Sequence, residues 1–140
     1  MRVVLDTNVI VAALRSPTGA SAALLMEARQ DKLTLLANVA LALEYEATCT
    51  RAEHILGSGL NAKDVGIFVD AVIAMLEPVE SHYNWRPMLR DPGDEIVLEG
   101  AANGHADAIV TFNIRDFGIA PKQFGINLLT PAEAYTRIKA

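Results

Sequence analysis

Residues 2–8 read Arg2-Val3-Val4-Leu5-Asp6-Thr7-Asn8, three apolar residues between a cation and a polar triplet. A short, largely β-branched apolar run of this kind is what a strand needs when helices cover both faces of a parallel sheet. Asp6 ends the run abruptly. The sequence therefore predicts a first buried strand with polar side chains at its carboxyl end.

Working outward, residues 108–112 (AIVTF) repeat the pattern and are followed by Asn113 to Asp116 (NIRD). Residues 32–37 (KLTLLA) and 126–129 are further strand candidates, and residues 79–83 are an expected edge strand. Helical signals fill the gaps. Asn8 is expected to cap a short helix through residue 14, Ser16-Pro17-Thr18-Gly19 reads as a turn, and a second helix carries residues 22–29. Asn38 is an N-cap for a helix from 39 to about 52. Asn61 opens the clearest helix, in which Val65, Phe68, Val69, Val72, Ile73 and Leu76 recur at helical spacing before Glu77-Pro78. Asp91-Pro92-Gly93-Asp94 reads as a helix start running to about residue 103, with Gly104 stopping it. Thr130-Pro131-Ala132-Glu133 is a capping box that begins the last helix.

Strands alternating with helices specify an α/β fold, a three-layer sandwich around a central, mostly parallel sheet. With 140 residues, 51% of them hydrophobic, the chain reads as one domain spanning 1–140. It has no internal repeat and no linker-like tract.

Twelve Lys and Arg stand against 17 Asp and Glu, a net charge of −5. That balance argues against nucleic-acid binding through a basic face alone. A bound divalent cation would supply the missing positive charge, since it reverses the sign a carboxylate cluster presents to a phosphate. The single Cys49 has no intrachain partner for a disulfide, which fits a reducing compartment, and we expect a cytoplasmic protein. Asp6 and Asn8 interrupt the apolar opening stretch, so neither an export signal nor a membrane span is expected.

In open α/β sheets ligands sit outside the carboxyl ends of the strands. Asp6-Thr7-Asn8 and residues 113–116 both follow buried strands, and they share one crevice if those strands are neighbours. The plainer role for Asp6 is a helix cap. Glu44 lies within residues 40–47 (ALALEYEA), an apolar stretch where a carboxylate must be exposed, paired or bound. On pattern alone Glu46 is as good a candidate as Glu44. Asp91, Asp94 and Glu95 cluster at a helix start, where negative charge is favoured in any case. His54, His82 and His105 fall in no metal-ligand spacing. Arg15, Arg51, Arg86, Arg90 and Arg115 flank these motifs, as substrate-backbone contacts or as solvated surface.

Taken in order, VLDTN (residues 4–8), LEYEATCTR (43–51) and RDPGDEIVLEGAANGHADAIVTFNIRDF (90–117) resemble the PIN-domain ribonucleases, especially toxin components of bacterial and archaeal toxin–antitoxin pairs. The resemblance spans nearly the whole chain. It implies Asp6, Glu44 and Asp94 as the acidic metal-site residues, with Asp91 close by, and it selects Glu44 over Glu46. Where many PIN domains place a fourth acid, this chain has Asn113, two residues after Thr111. Asn113 is then a neutral ligand or a group beside the ligands, and Asp116 a possible fourth acid. Carboxylates without His or Cys partners suit Mg²⁺ or Mn²⁺ rather than zinc. The expected chemistry is metal-assisted hydrolysis of RNA, with Thr7, Asn8 and Thr111 orienting the acids. The resemblance further implies an antitoxin seated in a helical groove, and a homodimer. Two other readings compete. A phosphatase using Asp6 as nucleophile would need a second acid where Asn8 stands, and a non-catalytic PIN-like module would have lost its site at Asn113.

Overall fold

The computed structural model describes residues 1–82 and 87–140. Five strands form one parallel sheet: β1 (Arg2–Leu5), β2 (Thr34–Ala37), β3 (Leu76–Pro78), β4 (Ala108–Val110) and β5 (Asn127–Leu129), in the order β3-β2-β1-β4-β5. Val3, Val4, Ala108, Ile109, Val110 and Leu36 are fully buried, as a sheet covered on both faces requires.

Nine helices are described: α1 (Thr7–Arg15), α2 (Ala20–Arg29), α3 (Val39–Cys49), α4 (Ala52–Ser58), α5 (Ala62–Met75), α6 (Pro92–Asn103), α7 (Ile114–Phe117), α8 (Ala120–Gln123) and α9 (Pro131–Lys139). The chain travels from β1 to β2 to β3 in one direction, then crosses back past β1 to β4 and β5. With right-handed crossovers, the reversal puts α1–α5 and α6–α8 on opposite faces. α1 packs on α2 and α3, α6 lies over β1, β2 and β4, and α9 returns to pack on α2 and β5. This is the expected three-layer sandwich.

The caps follow local chemistry. Asn38, Asn61 and Asp91 each accept a backbone N–H from the first turn of the helix they precede, and Thr130 with Glu133 forms the capping box in both directions. Asp6, not Asn8, is the N-cap of α1: its Oδ1 accepts from Thr7 N at 2.8 Å, which puts Asn8 inside the helix. The helix expected over 39 to about 52 breaks at Thr50, whose hydroxyl donates to Glu46 O at 2.8 Å; extended backbone at Arg51 then opens the separate α4. The edge strand lies at Leu76–Pro78 rather than over 79–83, and Tyr83 falls outside the described residues. Pro78 was read as a terminator, but an edge strand tolerates a residue without an N–H.

α9 is pinned by Lys139 Nζ, 2.7 Å from Oε1 of the buried Glu27 on α2. No single described helix is long and apolar enough to cross a membrane.

Candidate functional site

The strand order reverses between β1 and β4, and such a switch point opens a crevice outside the carboxyl ends of the two strands. In register, Leu5 faces Val110, so Asp6 and Thr111 leave the sheet side by side. Asp6 N donates to Val110 O at 2.9 Å. The fully buried Thr111 donates its hydroxyl to Asp6 Oδ2 at 2.7 Å, while Asp6 Oδ1 caps α1. Asp6 is therefore a cap, and its other oxygen is held by the neighbouring strand.

Glu44 is half-buried on α3, whereas Glu46 is exposed. Thr7 Oγ1 donates to Glu44 Oε2 at 2.7 Å, tying α3 to the start of α1. A Cβ added at Gly93 would stand 3.0 Å from Asp91 Oδ1 and 3.2 Å from Glu44 Oε1, so these two carboxylates close on one spot at the start of α6. Asp94, in the first turn of α6, is buried. Acids from three separate segments of the chain thus lie on the same edge of the sheet.

Their charges oppose one another. Burial pushes the Asp94 carboxyl up to about 6, helped by the nearby Asp6, Asp91, Asp116 and Glu44. Burial also raises Asp6; the bonds from Thr111 and Thr7 counter it, while Glu44 and Asp91 add to the rise. Asp116 sits exposed in the short α7. Asn113 is the N-cap of α7 without a side-chain capping bond, and its backbone N–H donates to Thr111 Oγ1 at 3.0 Å. Asn8, at the second position of α1, carries a buried Oδ1 without a hydrogen-bond partner.

A cavity of about 640 Å³ opens beside Asp94 and Asp116, with Asp91, Arg90 and Arg115 also on its wall. Of the arginines nominated from the sequence, those two reach it. Arg15 lies against Gly57, Arg51 begins α4, and Arg86 falls outside the described residues.

A family model described as PIN domain matches residues 2–115. The chain belongs to the PIN domain family. A chain in the crystal structure of VapBC2 from Rickettsia felis, bound to a DNA fragment from their promoter, is 16% identical with a TM-score of 0.62, covering 93% of this chain and 98% of that one. At that identity the likeness concerns the fold alone. No curated protein is similar enough to the chain to count as a match.

Among the described residues of this PIN domain, no group of three or more His, Cys, Asp or Glu side chains is already spaced to hold a metal ion. The donor chemistry nevertheless fits a hard cation. The converging groups are carboxylate oxygens, their mutual repulsion is what a cation would relieve, and the buried Asn8 acceptor sits two residues from Asp6.

Two supporting roles are not legible in the sequence, one of them at Glu95, which the sequence places only in the acidic helix start. Tyr45, fully buried on α3, donates its hydroxyl to the carbonyl of Leu5, the residue before Asp6. Glu95, next to Asp94, accepts at Oε2 from Met88 N at 3.1 Å and Leu89 N at 2.9 Å, fixing the segment that enters α6. Tyr45 was hidden in an apolar helix, and Glu95 looked like ordinary first-turn acidity.

Proposed function

We propose that this PIN domain is a Mg²⁺- or Mn²⁺-dependent endoribonuclease and the toxin of a toxin–antitoxin pair. The observation that carries the reading is that Asp94, Asp6 and Glu44 lie near enough to act on one another electrostatically beside the switch point, with the buried Asp94 raised to about 6. Asp6, Asp94 and Glu44 would hold the ion. When bound, it lowers the pKa of a bound water and offsets charge on the phosphodiester.

The chain's own residues do the rest. Thr111 and Thr7 hold Asp6 and Glu44 by short hydrogen bonds, which fixes the carboxylates before substrate arrives. Asp116 stands in for the acid that Asn113 lacks. Arg90 and Arg115 offer charge-assisted contacts to substrate phosphates.

The antitoxin's seat in this reading is an apolar groove of about 630 Å³ between α1, α2 and α5, lined by Leu14, Leu25, Met26, Phe68 and Met75 among others. An amphipathic helical segment suits such a groove. Self-association and a cytoplasmic location belong to the same proposal. The buried Cys49, its thiol pushed up to about 11 by burial, fits a reducing compartment because it behaves as a core residue.

The test is RNA cleavage by the purified protein in Mg²⁺, Mn²⁺ or EDTA, with Asp6→Asn and Asp94→Asn alongside. We expect metal-dependent cleavage that both substitutions abolish. Cleavage indifferent to EDTA and to both changes refutes the metal-nuclease reading. No cleavage by wild type under any metal favours a non-catalytic module.

A further inference from the structure

The cavity beside Asp94 has a composition that metal binding does not require. Beside Asp91, Asp94 and Asp116 its lining carries Arg90 and Arg115, the apolar Met88, Leu89 and Ile119, and the amide of Gln123. Arg90 and Arg115 form no salt bridge among the described residues, although acids surround them. Ile119 is 73% exposed and Met88 40%, so apolar side chains are spent on a wet rim.

The walls are also built to hold their shape. Glu95 clamps the backbone at Met88 and Leu89 on one side. On the other, the fully buried Phe117 anchors α7, and Gly118 at φ 53°, ψ −133° turns the chain so that Ile119 follows on the rim. That backbone region is essentially restricted to glycine.

Guanidinium groups without a salt bridge among the described residues, apolar side chains and a side-chain amide are what an unstacked nucleotide needs: cations for the phosphate, a surface for the base face, and a donor and acceptor for its edge. A volume of about 640 Å³ lies within the range of small-ligand sites. Resting on the nuclease reading above, we propose that this cavity receives one splayed nucleotide of single-stranded RNA next to the scissile phosphate. The base lies against Met88, Leu89 and Ile119, its edge meets Gln123, and the adjoining phosphate meets Arg115 and Arg90. The cavity then selects the nucleotide that flanks the cut. Duplex RNA is excluded because its bases remain stacked.

Two arms test it. In the first, single-stranded RNA oligonucleotides carrying one abasic site at successive positions are titrated by fluorescence anisotropy against the full chain bearing Asp6→Asn. We expect one position to weaken binding roughly fivefold to tenfold, and Ile119→Ser to abolish that positional effect. Arg115→Ala should weaken binding of all single strands and lower the salt slope by about one. In the second, cleavage sites in a random RNA pool are sequenced for wild type, Ile119→Ser and Gln123→Ala, where preference at one flanking position should relax. Ile119 and Arg115 are exposed, and circular dichroism verifies that the variants fold. Abasic positions that all behave alike, or an Ile119→Ser protein with an unchanged positional profile, overturn the proposal. The binding arm needs no catalysis: positional binding without cleavage refutes the nuclease reading alone, while cleavage without positional effects refutes the subsite alone.

Discussion

Replacing Asp94 by Asn should make the metal-free protein more stable. Burial, and after it the neighbouring Asp6, Asp91, Asp116 and Glu44, push the Asp94 carboxyl from 3.8 up to about 6. Each unit of such a shift corresponds to about 1.4 kcal/mol, so the charged form costs at most about 3 kcal/mol above neutral pH. The site opens into a cavity, so solvent screening reduces this. The dipole of α6, which favours a charge in its first turn by about 0.5 kcal/mol, reduces it further. About 1–2 kcal/mol remains, or a rise of roughly 3–6 °C in Tm for a chain of this size. The pH dependence has a definite sign. A carboxyl raised in the fold binds its proton more tightly there than when unfolded, so its destabilising effect is absent below pH 4 and grows as pH rises to about 6. The gap between Asp94→Asn and wild type should therefore be small at pH 4 and full at pH 7.5. The assay is calorimetric unfolding in EDTA across that range, repeated with Mg²⁺, which should stabilise wild type and leave the variant nearly unchanged. A variant less stable than wild type in EDTA at pH 7.5, or a gap independent of pH, refutes the argument that burial and the neighbouring acids disfavour the charge on Asp94.

Thr111→Val removes the hydroxyl that holds Asp6 Oδ2 while keeping the buried shape, and cleavage should fall about 10- to 100-fold, measured as initial rates at saturating Mg²⁺. Tyr45→Phe leaves the Leu5 carbonyl without its hydroxyl donor, and urea unfolding should show a loss of about 1–2 kcal/mol. Gly118→Ala meets no atom within 4 Å yet imposes a side chain at φ 53°; we expect a loss of about 1–2 kcal/mol in the same assay, and an unchanged midpoint would contradict the strain argument.

What was legible in the chain divides along a physical line. Asp91 and Thr130 are legible as caps because capping is settled within three residues, and the end of β1 because its buried apolar run stops sharply at Asp6; β4 instead ends at Val110, two residues short of the expected 108–112, because Thr111 turns its hydroxyl to Asp6. Asn8 was mistaken for a cap because Asp6 and Asn8 are both good caps, and only tertiary packing decides where α1 begins. The break at Thr50 depends on a hydroxyl competing for a helix carbonyl, which composition does not reveal. Glu44 was inseparable from Glu46 by pattern, since the bond from Thr7 that distinguishes it spans 37 residues. The cavity was invisible for a further reason. Its walls come from the segment before α6 and from the short α7 and α8, neither of which carries a hydrophobic period.

The acidic balance of the chain, which at first argues against nucleic acid, acquires a different meaning once its cations are located. Arg2 is paired with Glu77, Lys139 with Glu27, and Arg15 is packed against Gly57. Arg90 and Arg115, which form no salt bridge among the described residues, line the same cavity as Asp91, Asp94 and Asp116. Net charge averages over this arrangement and hides it. A chain at −5 cannot gather RNA from a distance by its overall field, so its affinity has to come from close contacts at the site. A nuclease built this way would depend on the local fit of one strand, and would be less able than a basic protein to hold RNA indiscriminately. That is the physical reason to look for selectivity in the cavity walls rather than in the acids, whose geometry is common to any strand they cut.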